Sequence, residues 1–207
     1  MTDQTKIQTI IDKFEIIEVS TISFCCRDKG DWDNLARCFD PDAPITTSWF
    51  KGTARQFAEQ SKNMMDNHHP TDTQRHMMAN PRVTVNGNRA VCEYYLILHQ
   101  GRTLDGHELD LQTWSVTMDL FEKRNDAWLI AKRKMIYEKS RMDPRNFGAV
   151  PQSYYDQLDL SRYPAAVKFH CYRNEKSSGH SPQNLILKGS PEEKAARQEA
   201  LQWLSGK

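Results

Sequence analysis

Asp28 and His76 are the two side chains of this sequence whose types can do acid–base chemistry together. Asp28 lies in the segment RDKGDWDNLARCFDPDA (27–43), and His76 lies in the segment TQRHMMANPRVTVNGNRAV (73–91). A buried carboxylate that is hydrogen-bonded to an imidazole makes a general base near neutral pH without a metal or a cofactor. We therefore predict an enzyme site if the fold brings these two side chains into one cavity.

A long first helix is predicted to carry Asp28 in its last turn. Apolar residues at helical spacing predict this helix over about residues 5–29. They are Ile7, Ile10, Ile11, Phe14, Ile17 and Phe24. Gly30 is expected to end the helix, and Asp31 is a natural N-cap for a short second helix that Pro41 stops. A carboxylate in the last turn faces the negative end of the helix dipole, so Asp28 needs partners to stay charged.

A sheet is predicted to follow the helices and to carry His76. The sequence indicates a strand over 43–50 and a helix over 53–66, after which the apolar period changes from 3.6 to 2. Asn86-Gly87-Asn88 is a strong signal for a two-residue hairpin. Further strands are expected over 90–99, 109–123 and 128–137. This order predicts an α+β cone, in which a curved mixed or antiparallel sheet wraps around the N-terminal helices.

The composition argues against several classes of partner. The chain has 207 residues, and Lys+Arg 28 against Asp+Glu 27 gives a net charge of +1. Because the positive and negative charges are nearly equal in number, the protein has no strong electrostatic field that would attract nucleic acid or an anionic membrane. No apolar run approaches the roughly 18 residues of a membrane helix, and the first residues lack the regions of a signal peptide. We expect a cytoplasmic protein with no nucleic-acid or membrane partner.

A metal site and a catalytic thiol are both disfavoured by the spacing of the candidate residues. The five cysteines are scattered and include no CxxC pair, so they indicate neither a zinc site nor a disulfide framework. His68 and His69 are neighbours that would point to opposite faces of a strand, so they are not expected to bind one metal ion together. We predict chemistry that uses no metal and no cofactor.

Three segments carry a resemblance to a known family. Residues 27–43, the hairpin NPRVTVNGNRA (80–90) and the strand pair LFEKRNDAWLIAKRKMIYEK (120–139) resemble the SnoaL-like branch of the nuclear transport factor 2 superfamily. The resemblance covers about the first 140 residues. By motif it extends to scytalone dehydratases, bile-acid 7α-dehydratases and a hexachlorocyclohexane dehydrochlorinase. It implies the same α+β cone and a lyase that needs no cofactor.

The resemblance also implies roles for individual residues. In those enzymes an aspartate four residues before the tryptophan of the helix corner pairs with a histidine that starts the strand before the hairpin. Here these positions are Asp28, before Trp32, and His76. A second family histidine is similar to His99, which would stand at the mouth of the same cavity. Two polar residues on the next strand, Ser115 and Thr117, resemble those that hold a substrate hydroxyl or carbonyl.

The sequence departs from scytalone dehydratase at the two tyrosines that hold a water against the substrate carbonyl. Arg27 and Thr47 stand near those positions, and neither is a phenol. Scytalone itself is therefore not the expected substrate. A guanidinium can polarise a carbonyl instead, and we name Arg133 on the last strand of the cone as that donor. Arg27 and Thr47 stay in the predicted substrate-binding set.

The C-terminal part exceeds what the cone needs. We predict a cone domain over 1–141 and an extension over 142–207 that packs on the cone or on a neighbouring subunit. Residues 138–189 are expected to be an irregular arm, whose tyrosines with His170 and Cys171 could cover the cavity mouth, and residues 191–204 a final helix. We expect a homo-oligomer, for which a dimer and a trimer fit equally well.

The predicted function is that of a cofactor-independent dehydratase, a hydro-lyase. It would eliminate water next to a carbonyl or another activated C–H in a small hydrophobic cyclic substrate, steroid-like or polyketide-like. His76 would take the proton, Arg133 or the hydroxyls would stabilise the enolate, and His99 or His76 would protonate the leaving hydroxyl. Met77, Met78 and Trp114 are expected to wall the pocket. Two alternatives stay open: a polyketide cyclase or isomerase with the same pair, and a non-catalytic binding or assembly subunit.

Overall fold

The computed structural model describes residues 2–179 and 181–206 and has the predicted α+β architecture. Its helices are α1 (Asp3–Lys29), α2 (Trp32–Arg37), α3 (Ala54–Asp66), α4 (Gln152–Asp156), α5 (Lys168–Ser178) and α6 (Pro191–Ser205). Its strands are β1 (Pro44–Thr46), β2 (Lys51–Thr53), β3 (Thr73–Asn86), β4 (Arg89–Leu104), β5 (His107–Arg124), β6 (Ala127–Pro144) and β7 (Ile186–Leu187).

The strands form one mixed sheet in the order β2-β1-β6-β5-β4-β3, with β7 beside β6. Strands β1 and β7 run parallel to β6, and the other neighbouring pairs are antiparallel. The register shifts between Ala79 and Arg82 in β3, and at two points between β5 and β6. Such bulges bend a sheet locally, and they account for the curvature that leaves room for α1 and a cavity.

The helix corner forms as the sequence predicts. Gly30 ends α1 in the left-handed conformation, with φ at 73°, and its N–H donates to the carbonyl of Cys26. Glycine reaches this conformation without the penalty that a Cβ atom would bring. Asp31 caps α2 through a hydrogen bond to the N–H of Asn34. The corner therefore fixes Asp28 one turn above the second helix, facing β3.

The apolar face that predicts α1 is buried only towards the end of the helix, where Phe24 is 5% exposed. Ile7, Ile10 and Phe14 are 58%, 67% and 66% exposed. The buried face includes the polar residues Asp12, Ser20, Ser23 and Arg27. These side chains bond to residues on the sheet and around the cavity, which the apolar period of the helix cannot indicate.

The predicted strand over 43–50 is wrong in its second half. Only Pro44–Thr46 is extended, and the chain then turns back at once because the N–H of Thr47 donates to the carbonyl of Phe50. As a result of this turn, the polar residues Thr47 and Ser48 are buried. Both residues line the cavity described below.

The predicted irregular arm is more regular than the sequence suggests. Strand β6 continues past residue 141 to Pro144, and α5 then packs its buried residues His170 and Cys171 onto the sheet. Helix α6 lies on the opposite sheet face, where Ala200 packs with Met118. Within the described part of the chain, no helix is long and apolar enough to span a membrane.

Candidate active site

The pair of Asp28 and His76 comes together at the C-terminal end of α1. Oδ1 of Asp28 lies 2.6 Å from Nδ1 of His76, and Oδ2 accepts the backbone N–H of His76 at 2.7 Å. The side-chain amide of Gln74 donates to Oδ1 at 3.3 Å. These donors offset the unfavourable end of the helix dipole, and they stabilise a carboxylate whose side chain is only 6% exposed.

The surroundings of the pair favour an ionised aspartate and a neutral imidazole. Burial alone would raise the pKa of Asp28, but the hydrogen bonds from His76 outweigh it and hold that pKa below its usual value. Burial lowers the pKa of His76 to about 4, against the hydrogen bond to Asp28 and with the help of the nearby Arg27. The ring proton therefore lies on Nδ1, and Nε2 carries the lone pair.

We expect the ring of His76 to stay neutral down to about pH 4 when its pKa is measured by NMR titration. The folded pKa lies below the unfolded value of 6.5, so the unfolded chain binds more protons between the two. The stability that this group contributes is complete above pH 6.5 and falls by about 3 kcal/mol as the pH drops from 6.5 to 4. The variant His76→Gln should lack this component of the pH dependence. A ring that titrates near 6.5 would contradict the prediction.

Arg27 borders the pair on the side that faces the cavity. Its Nη1 lies 3.3 Å from Nε2 of His76, and its guanidinium lies 5.5 Å and 5.6 Å from the ring centroids of Trp49 and Phe57. Nη1 therefore donates to the lone pair of the base, and burial lowers the pKa of Arg27 to about 10. Arg27 thus contacts the imidazole of His76, the hydroxyl of Ser61 and two aromatic rings.

One cavity of about 40 Å³, which continues into open solvent, adjoins Arg27 and His76. Its apolar wall consists of Phe24, Trp49, Phe57, Met64, Leu98 and Met135. Its polar residues include Gln74, Gln100, Thr113, Tyr137, His170 and Arg173. An apolar wall that meets convergent polar side chains is typical of sites for small molecules. Met77, Met78 and Trp114 are not part of this wall, so the prediction for those three residues is wrong.

Two predicted site residues lie outside the cavity. His99 alternates with Leu98 and Gln100, which line the cavity, so its side chain points to the other face of β4, beside Arg75. The prediction that His99 stands at the cavity mouth is therefore wrong. Thr117 is fully buried in register with Tyr94 and is not part of the lining, which corrects its predicted role as well.

The other predicted binding residues line the cavity. Arg27, Thr47, Ser115 and Arg133 all border it. The hydroxyl of Ser115 donates to the carbonyl of Leu96 at 3.3 Å. The hydroxyl of Thr47 is buried and has no hydrogen-bond partner among residues 2–179 and 181–206.

The side chain of Arg133 points inward, but its guanidinium is already paired with a carboxylate. Its Nε and Nη2 donate to the two oxygens of Asp119 at 2.6 and 2.7 Å, and Asp119 is completely buried. Tyr94 donates to the same carboxylate at 2.7 Å, and Ser23 accepts from Arg133 at 2.9 Å. Arg133 is therefore half of a buried ion pair, and its value as the donor for a substrate oxyanion is correspondingly small.

Tyr137 and Arg173 are cavity residues that the sequence does not single out. The phenol oxygen of Tyr137 accepts the N–H of Ser48 at 2.9 Å, and its burial raises its pKa. His170 contacts Ser48 through Nε2 at 2.7 Å and Arg173 through Nδ1 at 3.3 Å. Residues 170 and 173 lie at helical spacing on α5, and that spacing is the signal that could have indicated a shared face.

Comparison with known proteins identifies the family. Residues 8–134 match the family described as SnoaL-like domain. The chain belongs to this family. A curated relative, the uncharacterised protein AN9274 of Emericella nidulans, is 27% identical over 176 residues, which cover 82% of this chain and 73% of that protein.

Two solved structures share the nuclear transport factor 2-like fold of this SnoaL-like chain. A candidate scytalone dehydratase from Novosphingobium aromaticivorans is 12% identical with a TM-score of 0.58, over 70% of this chain and 99% of that one. A type 2 hexachlorocyclohexane dehydrochlorinase is 15% identical with a TM-score of 0.56, over 70% of this chain and 98% of that one. At these identities the likeness concerns the fold alone.

The SnoaL-like span contains only part of the cavity. Asp28, His76 and Arg133 lie inside residues 8–134, whereas Tyr137, His170 and Arg173 follow it. In residues 2–179 and 181–206, no three or more His, Cys, Asp or Glu side chains are grouped so that they could hold a metal ion. The polar chemistry described so far in the cavity thus comes from an imidazole, guanidinium groups, amides and hydroxyls.

Proposed function

We propose that this protein is a cofactor-independent hydro-lyase that removes water next to the carbonyl of a hydrophobic cyclic substrate, steroid-like or polyketide-like. The observation that carries the proposal is the contact of 2.6 Å between Asp28 and His76 at the wall of a largely apolar cavity. An imidazole held by a buried carboxylate can act as a general base, and the cavity joins an apolar wall to polar side chains, as sites for small molecules do.

In the first step, Nε2 of His76 takes the proton from the carbon next to the carbonyl. The C–H electron pair moves to form the enolate, and the imidazole becomes an imidazolium. Asp28 stabilises that cation because its carboxylate already accepts the Nδ1–H at 2.6 Å. The carboxylate thus orients the base in one tautomer and offsets the charge that the base acquires.

Arg27 is the donor placed to stabilise the enolate oxygen. It lies 3.3 Å from Nε2 of His76 and is paired with no carboxylate among the described residues. A substrate oxygen that accepts from Nη1 would draw this donor away from Nε2 and expose the lone pair that the reaction needs. Tyr137, whose phenol borders the same cavity, offers a second donor. We therefore assign the stabilisation of the enolate oxygen to Arg27 and Tyr137 rather than to Arg133, because the guanidinium of Arg133 is paired with Asp119.

In the second step, the enolate re-forms the carbonyl and expels the hydroxyl from the neighbouring carbon. The imidazolium of His76 returns its proton to that hydroxyl, so the C–O bond breaks, a C=C bond forms and water leaves. The protein is then back in its starting protonation state. One base that removes and returns the same proton is sufficient, which agrees with the position of His99 outside the cavity.

Two proteins of the same fold support this reaction type through their names. One is described as a candidate scytalone dehydratase and the other as a dehydrochlorinase. Both names denote the elimination of a small molecule from a cyclic substrate. The base and the donors found in this cavity fit an elimination that uses only protons and electrostatic stabilisation.

The test is to incubate the purified chain with a panel of cyclic β-hydroxy ketones and to follow the mass of the products. We expect loss of one water from at least one member of the panel. In deuterated water, the unreacted substrate should also take up deuterium at the carbon next to the carbonyl, when the imidazolium exchanges its proton with water and the enolate is reprotonated before the hydroxyl leaves. A product of unchanged mass with a new ring or a moved double bond would favour the cyclase or isomerase. Binding without water loss or exchange would favour a binding subunit.

A further inference from the structure

Three arginines border the cavity, but the described lining residues include neither aspartate nor glutamate. Arg133 is neutralised by Asp119 behind the wall. Arg27 and Arg173 are 7% and 6% exposed, and neither forms an ion pair with a carboxylate of the described chain. Two buried guanidinium groups therefore face the same space without an ion-pair contact, although the carboxylate of Asp28 attracts Arg27 from its bond with His76.

An unpaired buried charge opposes folding, because the desolvation of the charge is not compensated. The structure shows this cost at both sites. Burial, with the repulsion of Arg102 and Arg27, lowers the pKa of Arg173 to about 9, and burial lowers that of Arg27 to about 10. Groups that are held at such a cost in a cleft are candidates for recognition of the opposite charge.

Arg173 occupies a distinct place along the path to His76. It borders the inner cavity and also an outer depression, and Trp49 and Met64 line both spaces as well. The outer depression carries Lys176 and the ion pair of Arg102 with Asp72. Arg173 therefore lies where the two spaces meet, while Arg27 lies against the base. The two cations stand at different parts of one elongated site.

His170 holds Arg173 in this place. The arginine donates from Nη2 to Nδ1 of His170 at 3.3 Å, and Thr113 contacts the same nitrogen at 3.0 Å. Nδ1 is then the acceptor and the proton lies on Nε2, which donates to Ser48 at 2.7 Å. Burial lowers the pKa of His170 well below its usual value, so the ring stays neutral and accepts from the guanidinium. His170 is thus a positioning residue for Arg173.

We propose that the substrate carries a carboxylate, separate from the reacting carbonyl, that binds to Arg173. Each unpaired cation then meets one negative charge: Arg173 the fixed carboxylate of the substrate, and Arg27 the charge that develops on the enolate. The inference rests on the proposed function for the reacting end of the substrate only. Binding of the carboxylate by Arg173 requires no turnover.

The test compares two ligands of the same shape, 2-naphthoate and the uncharged 2-naphthamide, by isothermal titration calorimetry. We expect the wild type to bind the carboxylate between about tenfold and a hundredfold more tightly than the amide, as charged hydrogen bonds allow. Arg173→Gln should lose this preference, Arg173→Lys should keep part of it, and Arg55→Gln, at an exposed arginine of α3, should keep all of it. Inorganic phosphate serves as the competitor that reveals a site for free anions.

Several results would overturn the inference. They are equal affinity of the wild type for both ligands, a preference that survives in Arg173→Gln, and displacement by phosphate at concentrations below those of the naphthoate. The comparison on the wild type stands even if Arg173→Gln does not fold. Turnover of neutral hydroxy ketones in preference to their carboxylated forms would also contradict this inference, but it would still support the proposed lyase activity. If the protein binds naphthoate through Arg173 but turns over no member of the panel, the carboxylate site is supported and the proposed lyase activity is contradicted.

Discussion

Replacement of His76 by glutamine is expected to lower kcat/KM for water elimination by about 10²-fold to 10⁴-fold, the usual contribution of a positioned general base. Of the two ring nitrogens of His76, only Nε2 is left to accept a proton, because Nδ1 is hydrogen-bonded to Asp28 at 2.6 Å. Glutamine preserves the size and polarity of the side chain but cannot take up a proton. The measurement is the rate of water loss from the best substrate of the panel.

Two further variants sharpen this result. Asp28→Asn should also lower kcat, because an amide no longer holds the neutral ring in one tautomer or stabilises the imidazolium. His107→Gln is the matched control, since this histidine packs against Tyr154 with its ring centroid 4.5 Å away and does not border the cavity. Full activity of His76→Gln would rule out the proposed mechanism, whereas loss of activity in His107→Gln would point to a general effect on folding.

Asp119→Asn is expected to destabilise the protein by about 3 to 5 kcal/mol, the usual cost of leaving one partner of a buried ion pair uncompensated. Asp119 is 0% exposed and Arg133 is 2% exposed. The carboxylate accepts two hydrogen bonds from Arg133 and one each from Tyr94 and Ser20. Asparagine keeps the shape but leaves the guanidinium charged in the core. The free energy of unfolding in urea measures the effect.

Two comparisons isolate the buried charge as the cause. Asp143→Asn breaks the ion pair of Asp143 with Arg141, which has a similar distance of 2.6 Å but is 62% exposed at the arginine. It should change the free energy of unfolding by about 1 kcal/mol or less. The double variant with Asp119→Leu and Arg133→Met removes both charges and should be more stable than Asp119→Asn alone. Equal stability of Asp119→Asn and the wild type would mean that Arg133 is compensated by another group.

The acid–base pair could be predicted because each member sits next to a strong local signal. Gly30 ends α1 two residues after Asp28, and Gly87 turns the hairpin that begins with the strand of His76. Local alternation also puts Arg133 on the opposite face from Lys132 and Lys134, but it does not tell which face is inward. The structure places Arg133 on the inner face. Its neutralisation depends on the pairing of two strands, since Asp119 faces Arg133 only in the β5–β6 register.

The rest of the cavity depends on contacts that are distant in the sequence. Ser48 and His170 are separated by 122 residues, and no pattern within either segment indicates that they meet. The prolines around α5 favour an irregular arm and hide the helix that carries Arg173. In the first half of α1, the apolar residues of the helical period are exposed, because polar partners on the sheet select much of the buried face. Local periodicity reports which segments are helical, but not which side of a helix will be buried.

Helix α5 follows residues 8–134, the span that matches the SnoaL-like family, yet it supplies Arg173 to the same cavity as His76. The proposed proton-transfer pair and the arginine proposed to bind the substrate carboxylate are therefore encoded in separate stretches of the gene. Mutations in the second stretch can alter which molecules are accepted while the proton-transfer pair stays intact. Exchange of this stretch between homologues is thus a direct route to altered specificity by protein engineering.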